Sequence, residues 1–437
     1  MNVIEDIINS KKIQDYEIFL IDHTAFESII LKDRVDNNRE INNFEYTLRV
    51  LSQKDNETGV GIVQGNSLNP KDIEKNIDTC IRLANTNLNT KYYFPDKSSP
   101  QKVATSDKDV INNPLKTKED LVEELLSEIK EKKEVTPTFG RFRVHLDKIS
   151  LRNSNSVDLH TLKSYFFIEF SLKAQQNGKL SEYWPFLIIK EKEQLDFSKR
   201  VEKWAKLAQD NLKAVVPQPE NKAKIIFSPQ VLHNALNTVI SAHASGMAYH
   251  QKMSRFHIDK KAASENVSII DNGLMEGGLA TNGWDGEGTP HQRNEIIKNG
   301  IFKRRLYDQK YALLENTSST GNGRRAKDGS IINGISNLEI KAGDMDLDEM
   351  ISNISAGYFI EQFSWLMPSQ ITGTFGAEIR AGYSIKDGKI GHPIKLGNVS
   401  GDVFDMINNC LYITKKREYF NNCLFPHMAF ANLTVSS

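Results

Sequence analysis

Three of the chain's ten histidines fall in one stretch, "SPQVLHNALNTVISAHASGMAYH", residues 228–250. Imidazoles spaced along a helix are common ligands of a catalytic zinc ion, so the first question is whether these three can share one. On a helix rising about 1.5 Å per residue, His243 and His250 share a face but stand roughly 10 Å apart, whereas two ligands of one zinc lie within about 4 Å of each other. His243 has Leu236 and Val239 as its neighbours on the preceding turns, which puts it on the apolar stripe as a hydrogen-bonded core histidine. His233 lies at the edge of that stripe. A zinc-protease helix needs a second histidine one turn on and an adjacent glutamate as general base. Here the adjacent residue is Asn234, whose amide cannot take a proton at neutral pH. The next turn offers Asn237 and Thr238, both poor zinc ligands.

Three other segments carry chemistry-bearing residues. Asp285 and Glu287, in "DGEGTP", have the types needed for acid–base work or metal binding, but Gly286 and Gly288 beside them make a tight turn the first expectation. "GNGRR" places the backbone N–H groups of Gly321, Asn322 and Gly323 beside Arg324 and Arg325, either as an anion cradle or as a loop linking two strands. No GxxxxGK[ST] precedes a helix, so nucleotide binding by a P-loop is not expected. In "GTFGAEIRAGYSI", Gly376 interrupts a strand. A glycine there either lets an extended peptide add along the edge or marks a bulged interior strand, and both readings stay open.

The elements that must position these residues read as follows. After an opening helix, "YEIFLID", "FESIILK", "FEYTLRVLS" and "GVGIVQG" have strand composition. In "LNPKDIEKNIDTCIRLANT" the period changes: Asn69 can cap, Pro70 fits the first helical position, and Ile73, Ile77, Ile81 and Ala84 share a face, with Cys80 packed beside it. Residues 95–117 read as a polar surface loop and "TKEDLVEELLSEIKEKKE" as an amphipathic helix with a solvated charged face. Phe142, Val144 and Leu146 then alternate with Arg141, Arg143 and His145, and Asn177-Gly178 supplies a hairpin turn. A helix carrying Val201, Trp204, Leu207 and Leu212 leads into "VVPQPENK", which reads as the domain boundary. Beyond it come one strand, the histidine-bearing helix at about 229–246, and a Gly-rich run of short strands interrupted by one helix near "DLDEMISNISAG". The expectation is an α+β protein: a mixed α/β N-terminal domain, residues 1–216, followed by a mainly antiparallel β sheet or barrel, residues 222–437, with the helix packed on one side.

Composition narrows the function. The chain has 437 residues, room for two or three cores. Lys+Arg and Asp+Glu both number 56, giving zero formal charge, which argues against a protein that clamps duplex DNA. No apolar run reaches the roughly 18 residues of a membrane span, and the first residues lack the apolar core of a signal peptide. Cys80, Cys410 and Cys423 form no CxxC pair, as suits a reducing compartment. A cytoplasmic protein without membrane or nucleic-acid partners is expected.

Four segments together, "NGWDGEGTPHQRNEIIKNGIFKRRLYD", "STGNGRR", "ITGTFGAEIRAGYSIKDGKIGHPI" and the closing "LFPHMAFANL", resemble the TldD/PmbA family, and its PmbA (TldE) branch in particular. "GVGIVQG" and the Asn-Pro-started helix extend the likeness into the N-terminal half. The resemblance implies a metallopeptidase system acting on unfolded peptides, in which TldD-like subunits carry a His-Glu-three residues-His zinc helix and PmbA-like subunits pair with them. On this chain the family helix corresponds to "HNALNT": His233 matches the first ligand, Asn234 replaces the general-base Glu, and Thr238 replaces the second His. The implied role is a partner without its own zinc, any zinc being supplied by the TldD-like subunit. Asp285, Glu287, Gly321, Asn322, Arg324 and Gly376 are the candidate peptide- or partner-contacting residues. Cys423 does not fit the family's late cysteine ligand. Two alternatives remain: a homodimeric metallopeptidase with a rearranged site drawn from His233, His243 or His250 with Asp285 or Glu287, and a peptide-binding scaffold without catalysis. The family is also named for modulation of DNA gyrase, for which a chain of zero net charge gives no support as a direct DNA binder.

Overall fold

In the computed structural model, which describes residues 1–437, Asn177 and Gly178 take positive φ angles of 50° and 75° and close a two-residue hairpin, as their types demand. The hairpin joins Asp158–Gln176 to Lys179–Tyr183 at one edge of an eight-stranded antiparallel sheet. From the other edge the order is Leu88–Thr90, Glu57–Gly65, Arg34–Lys54, Tyr16–Leu31, Val135–Asn153, Asp158–Gln176 and Lys179–Tyr183, with Phe186–Ile189 also on Asp158–Gln176. The two strands expected in "YEIFLID" and "FESIILK" are a single strand, Tyr16–Leu31. Its central polar residues do not break it because they are satisfied across the sheet, His23 by Asp147 at 2.5 Å and Thr24 by Asn42 at 2.9 Å.

Register puts Ile18, Leu48, Phe142, Val144 and Ile168 on one face of this sheet. Four helices cover that face. Asn2–Ser10 and Pro70–Thr86 pack around Ile18 and Leu48, and Pro114–Lys130 and Phe197–Asp210 around Phe142 and Phe166. Asn69 caps and Pro70 opens the second helix as read, the Lys71 N–H donating to Asn69 Oδ1 at 3.0 Å. The expected loop at 95–117 instead contains the short helix Lys108–Asn112 and the start of Pro114–Lys130. Asn113 and Pro114 supply a cap and first turn that the charge pattern downstream hid. The opposite face carries Glu17, Phe19, Arg49, His145, Ile149 and Lys163 and looks toward the C-terminal half.

In that half five strands close on themselves. Glu220–Phe227, Ala356–Phe363, Thr374–Lys386, Asn398–Asp402 and Cys423–Ser436 each pair with the next, and the last pairs with the first. The result is a β-barrel from which further short strands branch, mostly antiparallel. The histidine-bearing helix is Pro229–Ala244, started by Ser228, whose hydroxyl accepts the Val231 N–H at 3.4 Å, and by Pro229 at its first position. Val231, Leu232, Ala235, Leu236, Val239 and Ile240, each at most 1% exposed, join it to the core shared with the barrel. Ser245 ends it and caps the next turn, Gly246–His250. Where one internal helix was expected there are three short ones, Gln309–Leu314, Leu347–Ser352 and Val403–Asn408. Each has only about two turns, too few for a periodic pattern to register. All three cysteines are free and buried. No helix is long and apolar enough to cross a membrane.

Candidate functional site

The helix Pro229–Ala244 turns one polar face away from the barrel core. Gln230, His233, Asn237 and Ser241 are partly exposed along it, and Asn234 and Thr238 are exposed. This face runs between two cavities that lie where the halves meet. The larger, about 530 Å³, opens at the start of the helix beside Ser228 and Gln230 and is walled by Phe186, Trp204, Lys203 and Glu418. The smaller, about 190 Å³, includes Ile335 and Ser336, and the Ile335 N–H reaches Ser241 Oγ at 3.4 Å. Asn237 donates to Asn422 Oδ1 at 2.8 Å, and Asn422 in turn donates to the Ser336 carbonyl at 2.8 Å.

The three histidines do not converge. His243 is the core residue its position predicts: Nδ1 accepts the Arg255 N–H at 3.0 Å, so Nε2 carries the proton and faces the carbonyls of Gln370 and Ile371, both at 3.1 Å. His250 pairs with Glu315 at 2.8 Å. His233 sits edge-on to Phe420 and reaches Asn234 Oδ1 at 3.0 Å, and burial lowers its pKa. No three His, Cys, Asp or Glu side chains are grouped as a metal ion requires. The rearranged site of His233, His243 or His250 with Asp285 or Glu287 is therefore not assembled within the chain.

Asp285 is a turn residue. Its Oδ1 accepts the N–H groups of Glu287 (2.9 Å) and Thr289 (3.0 Å), and its Oδ2 accepts that of Gly323 (2.8 Å). Burial, and next the charge of Glu287, push its pKa well above the ordinary carboxylate range. Glu287 does something the turn reading missed. Fully buried, it accepts the Tyr92 hydroxyl at 2.6 Å and the Gln309 N–H at 2.9 Å, and lies 4.0 Å from Arg49. Arg49 donates to Tyr92 Oη at 2.8 Å and to Glu17 at 3.3 Å, and Arg325 closes the chain on Glu17. Five side chains thus tie the N-terminal sheet to the "DGEG" and "GNGRR" loops. Only Glu287 and Arg325 stood in segments whose chemistry was visible. Glu17 and Arg49 are direct cross-strand partners, a pairing that would have flagged them once the register was known.

Asn322 is a structural knot: it accepts the Thr320 hydroxyl at 2.6 Å and donates to Asp271 at 2.7 Å and to the Gly334 carbonyl at 3.1 Å. Gly321, at φ 72°, packs against the backbone of Pro290 and His291, where a side chain has neither the conformation nor the space. Both residues shape the loop, and its arginines face the smaller cavity. Gly376 lies elsewhere, on the exposed outer face of the barrel strand Thr374–Lys386. Over Thr374–Glu378 that strand pairs with Asn398–Asp402 on one side. On the other, Ser364 donates to the Glu378 carbonyl and Ser369 to the Thr374 carbonyl, both at 2.9 Å, and no strand pairs between them. Nothing lies within 4 Å of where a Gly376 Cβ would stand.

Beside Glu287, Asp308 is 1% exposed and caps Gln309–Leu314 through the Tyr311 N–H at 2.8 Å. Burial, with the Glu287 charge adding, raises its pKa to about 7. The unfolded chain ionises it near 3.9. The native state therefore holds the proton more tightly between these values, and stability from this group falls as pH rises from about 4 through 7. Asp308→Asn keeps the cap and removes the charge. It is expected to raise stability at pH 8 by on the order of 2 kcal/mol, part of the cost being shared with Glu287. The gain should disappear by about pH 4. Thermal unfolding of both proteins at the two pH values checks this, and a gain of equal size at both would show that Asp308 is not held neutral.

The fold and site define a two-part α+β chain in which a barrel-borne helix turns a polar face into the cleft between the parts. A family model for the PmbA/TldA metallopeptidase C-terminal domain matches residues 220–437. The chain belongs to the TldD/PmbA family and is PmbA/TldE-like within it. It is 24% identical over 306 residues to metalloprotease PmbA of Escherichia coli O157:H7, covering 67% of this chain and 64% of that protein. It is 34% identical over 151 residues to a metalloprotease TldD homolog of Buchnera aphidicola, covering 34% of this chain and 31% of the relative. An uncharacterized protein of Methanocaldococcus jannaschii is 32% identical over 192 residues, 44% of this chain and 45% of that one. The chain thus spans less than half the length of these last two relatives. The crystal structure of TldE from Thermococcus kodakarensis shares the fold, with a TM-score of 0.87 at 19% identity over 100% of both chains. That of a putative modulator of DNA gyrase from Thermotoga maritima does so with a TM-score of 0.87 at 17% identity, over 100% of this chain and 99% of that one.

Proposed function

We propose that this chain is the partner subunit of a TldD/TldE-type peptidase, holding extended peptide while a TldD-like chain carries out hydrolysis. The observation that carries the reading is the donor set on the polar face of Pro229–Ala244. At the positions of the family's zinc helix stand one imidazole, His233, one amide, Asn234, and one hydroxyl, Thr238. No three His, Cys, Asp or Glu side chains are grouped there. That set does not fit a zinc ion, which takes thiolate, imidazole and carboxylate ligands. Cys423, the late cysteine, is buried behind the helix. It receives a hydrogen bond from Asn237 at 3.8 Å, and burial pushes its thiol well up in pKa, away from the thiolate a metal needs.

The chain's own part in this reading is to bind and orient. The side of Phe375–Ala377 away from Asn398–Asp402, which no strand covers, with open space at Gly376, offers its free main-chain groups to an extended backbone. The cleft polar groups Gln230, Asn234, Asn237 and Thr238 present donors and acceptors without charge, which suits an unfolded chain of varied sequence. Three free, buried thiols suit a reducing cytoplasm. The test is metal content and cleavage. The purified chain is expected to hold less than about 0.1 zinc per molecule after purification without chelator, and to cleave no unfolded peptide alone. It should raise cleavage when mixed with a TldD-like chain from the same cell. One zinc per chain, lost on His233→Ala, would overturn the reading, as would full peptidase activity of the chain by itself.

A further inference from the structure

The smaller cavity between the halves, about 190 Å³, has a lining whose charges do not cancel. Lys163 comes from the cleft face of the N-terminal sheet, and Arg324 and Arg325 from the "GNGRR" loop; Trp284, Phe19 and His291 form part of the walls. Arg325 is the built element. Its side chain is 9% exposed, its guanidinium stacks 4.1 Å from the centre of the Phe19 ring, and one Nη2 bond goes to Glu17. Its Nε and Nη1 are buried and have no partner at all. Arg325 lines the cavity with one arm anchored and two buried donors idle, an arrangement that favours an acceptor drawn against it, because leaving buried donors unmade costs free energy.

The neighbours point the same way. The Lys163 ammonium makes neither a hydrogen bond nor an ion pair. Its cross-strand partner, Asp147, is engaged by His23 at 2.5 Å. The Arg324 guanidinium, at the mouth, has no acceptor either. The only acid in the lining is Asp285, and both of its oxygens are filled by the backbone N–H groups of Glu287, Thr289 and Gly323. His291 leaves Nδ1 buried and unpartnered. Burial, then the charge of Lys163, lowers the His291 pKa to about 4, so it is a neutral imidazole at ordinary pH and the positive charge of the lining comes from Lys163 and the arginines. Burial lowers the Lys163 ammonium to about 8, against the pull of Asp147, which is the signature of a cation lacking a close counter-ion.

We infer that this cavity is an oxyanion-binding site, taking the carboxylate or phosphate group of a small ligand between Lys163, Arg324 and the idle Nε and Nη1 of Arg325. A planar fork plus a point charge is the donor set that carboxylate and phosphate oxygens fill bidentately, and the volume admits such a group with a short attached chain. The Trp284 and Phe19 walls would lie against that chain. The inference does not depend on the partner-subunit reading: the site belongs to this chain alone.

Calorimetric titration of the full chain with inorganic phosphate and, separately, with glutarate tests it. At least one is expected to bind saturably with a dissociation constant below about 10 mM, and Lys163→Met and Arg324→Gln should each weaken it by about tenfold or more. Both variants replace side chains with no partner in the fold, so they should stay folded, while Lys252→Met, at an exposed turn, should bind like the parent. Binding of phosphate alone or glutarate alone identifies which oxyanion the site prefers. Absence of saturable heat with both ligands overturns the inference, as does equal affinity in Lys163→Met and the parent.

Discussion

Arg49→Ala is expected to remove about 3–5 kcal/mol of stability, the usual cost of taking one partner from a buried ion pair. The side chain is 4% exposed and serves three acceptors at once: Glu17 at 3.3 Å, Tyr92 Oη at 2.8 Å and Glu287 at 4.0 Å. It also lies 5.3 Å and 5.2 Å from the ring centres of Tyr92 and Phe94. Without it the two carboxylates, 0% exposed, are left with fewer donors, Arg325 for Glu17 and the Tyr92 hydroxyl and Gln309 N–H for Glu287. Since these groups come from both halves, the loss falls on the contact between sheets. Urea unfolding should show a lowered midpoint, with the two halves beginning to part at different concentrations. Adding Glu287→Gln to Arg49→Met should recover part of the loss, because it removes the stranded charge. Arg49→Ala within about 1 kcal/mol of the parent would mean that water already screens the cluster.

Why this cluster escaped the sequence is instructive. Polar residues alternating with apolar ones along a strand read as a solvated face, and Arg141, Arg143 and His145 were rightly assigned to the side opposite Phe142 and Val144. Further along the same face, at Glu17 and Arg49, that side is not solvent but a buried contact with the C-terminal half, and only tertiary structure tells the two apart. Local chemistry was legible. Asn177-Gly178 made its turn, Asn69-Pro70 and Ser228-Pro229 started their helices, and the apolar stripe fixed His243 as a core residue. The Gly-flanked Asp285 is the turn its neighbours implied, whereas Glu287, two residues on, is drawn into a network with Tyr92, 195 positions away, and with Arg49, still further off. A sheet or barrel was the expectation for this half, and the barrel is found, but the pairing that closes it was not legible, since it rests on Cys423–Ser436 returning to pair with Glu220–Phe227 at the other end of the half. Lys163 and Arg325 meet in one cavity for the same reason: proximity made by register and domain contact leaves no mark on spacing.

Glycines separate local need from tertiary need most sharply, and they carry the second large expectation. Gly59 and Gly61 lie on one face of Glu57–Gly65, and the helix Pro70–Thr86 crosses directly over them. A Cβ on Gly61 would collide with the Cys80 carbonyl and approach the Ala84 nitrogen to 2.9 Å, and one on Gly59 would meet the Ala84 carbonyl. These obstacles are backbone atoms of a regular helix, so no rotamer change relieves them. Gly61→Val must lift the helix, exposing Ile73, Ile77, Cys80 and Ala84, each 0% exposed in the native chain. The expected loss is about 3–5 kcal/mol, comparable to emptying a core position. Gly376→Val is the matched control: the same substitution in a strand, at a site with open space, should move stability by no more than about 0.5 kcal/mol. Equal losses for the two would show that contact with the helix does not set the cost. A large loss at Gly61 alone would establish that the "GVG" pattern is read by the helix above it.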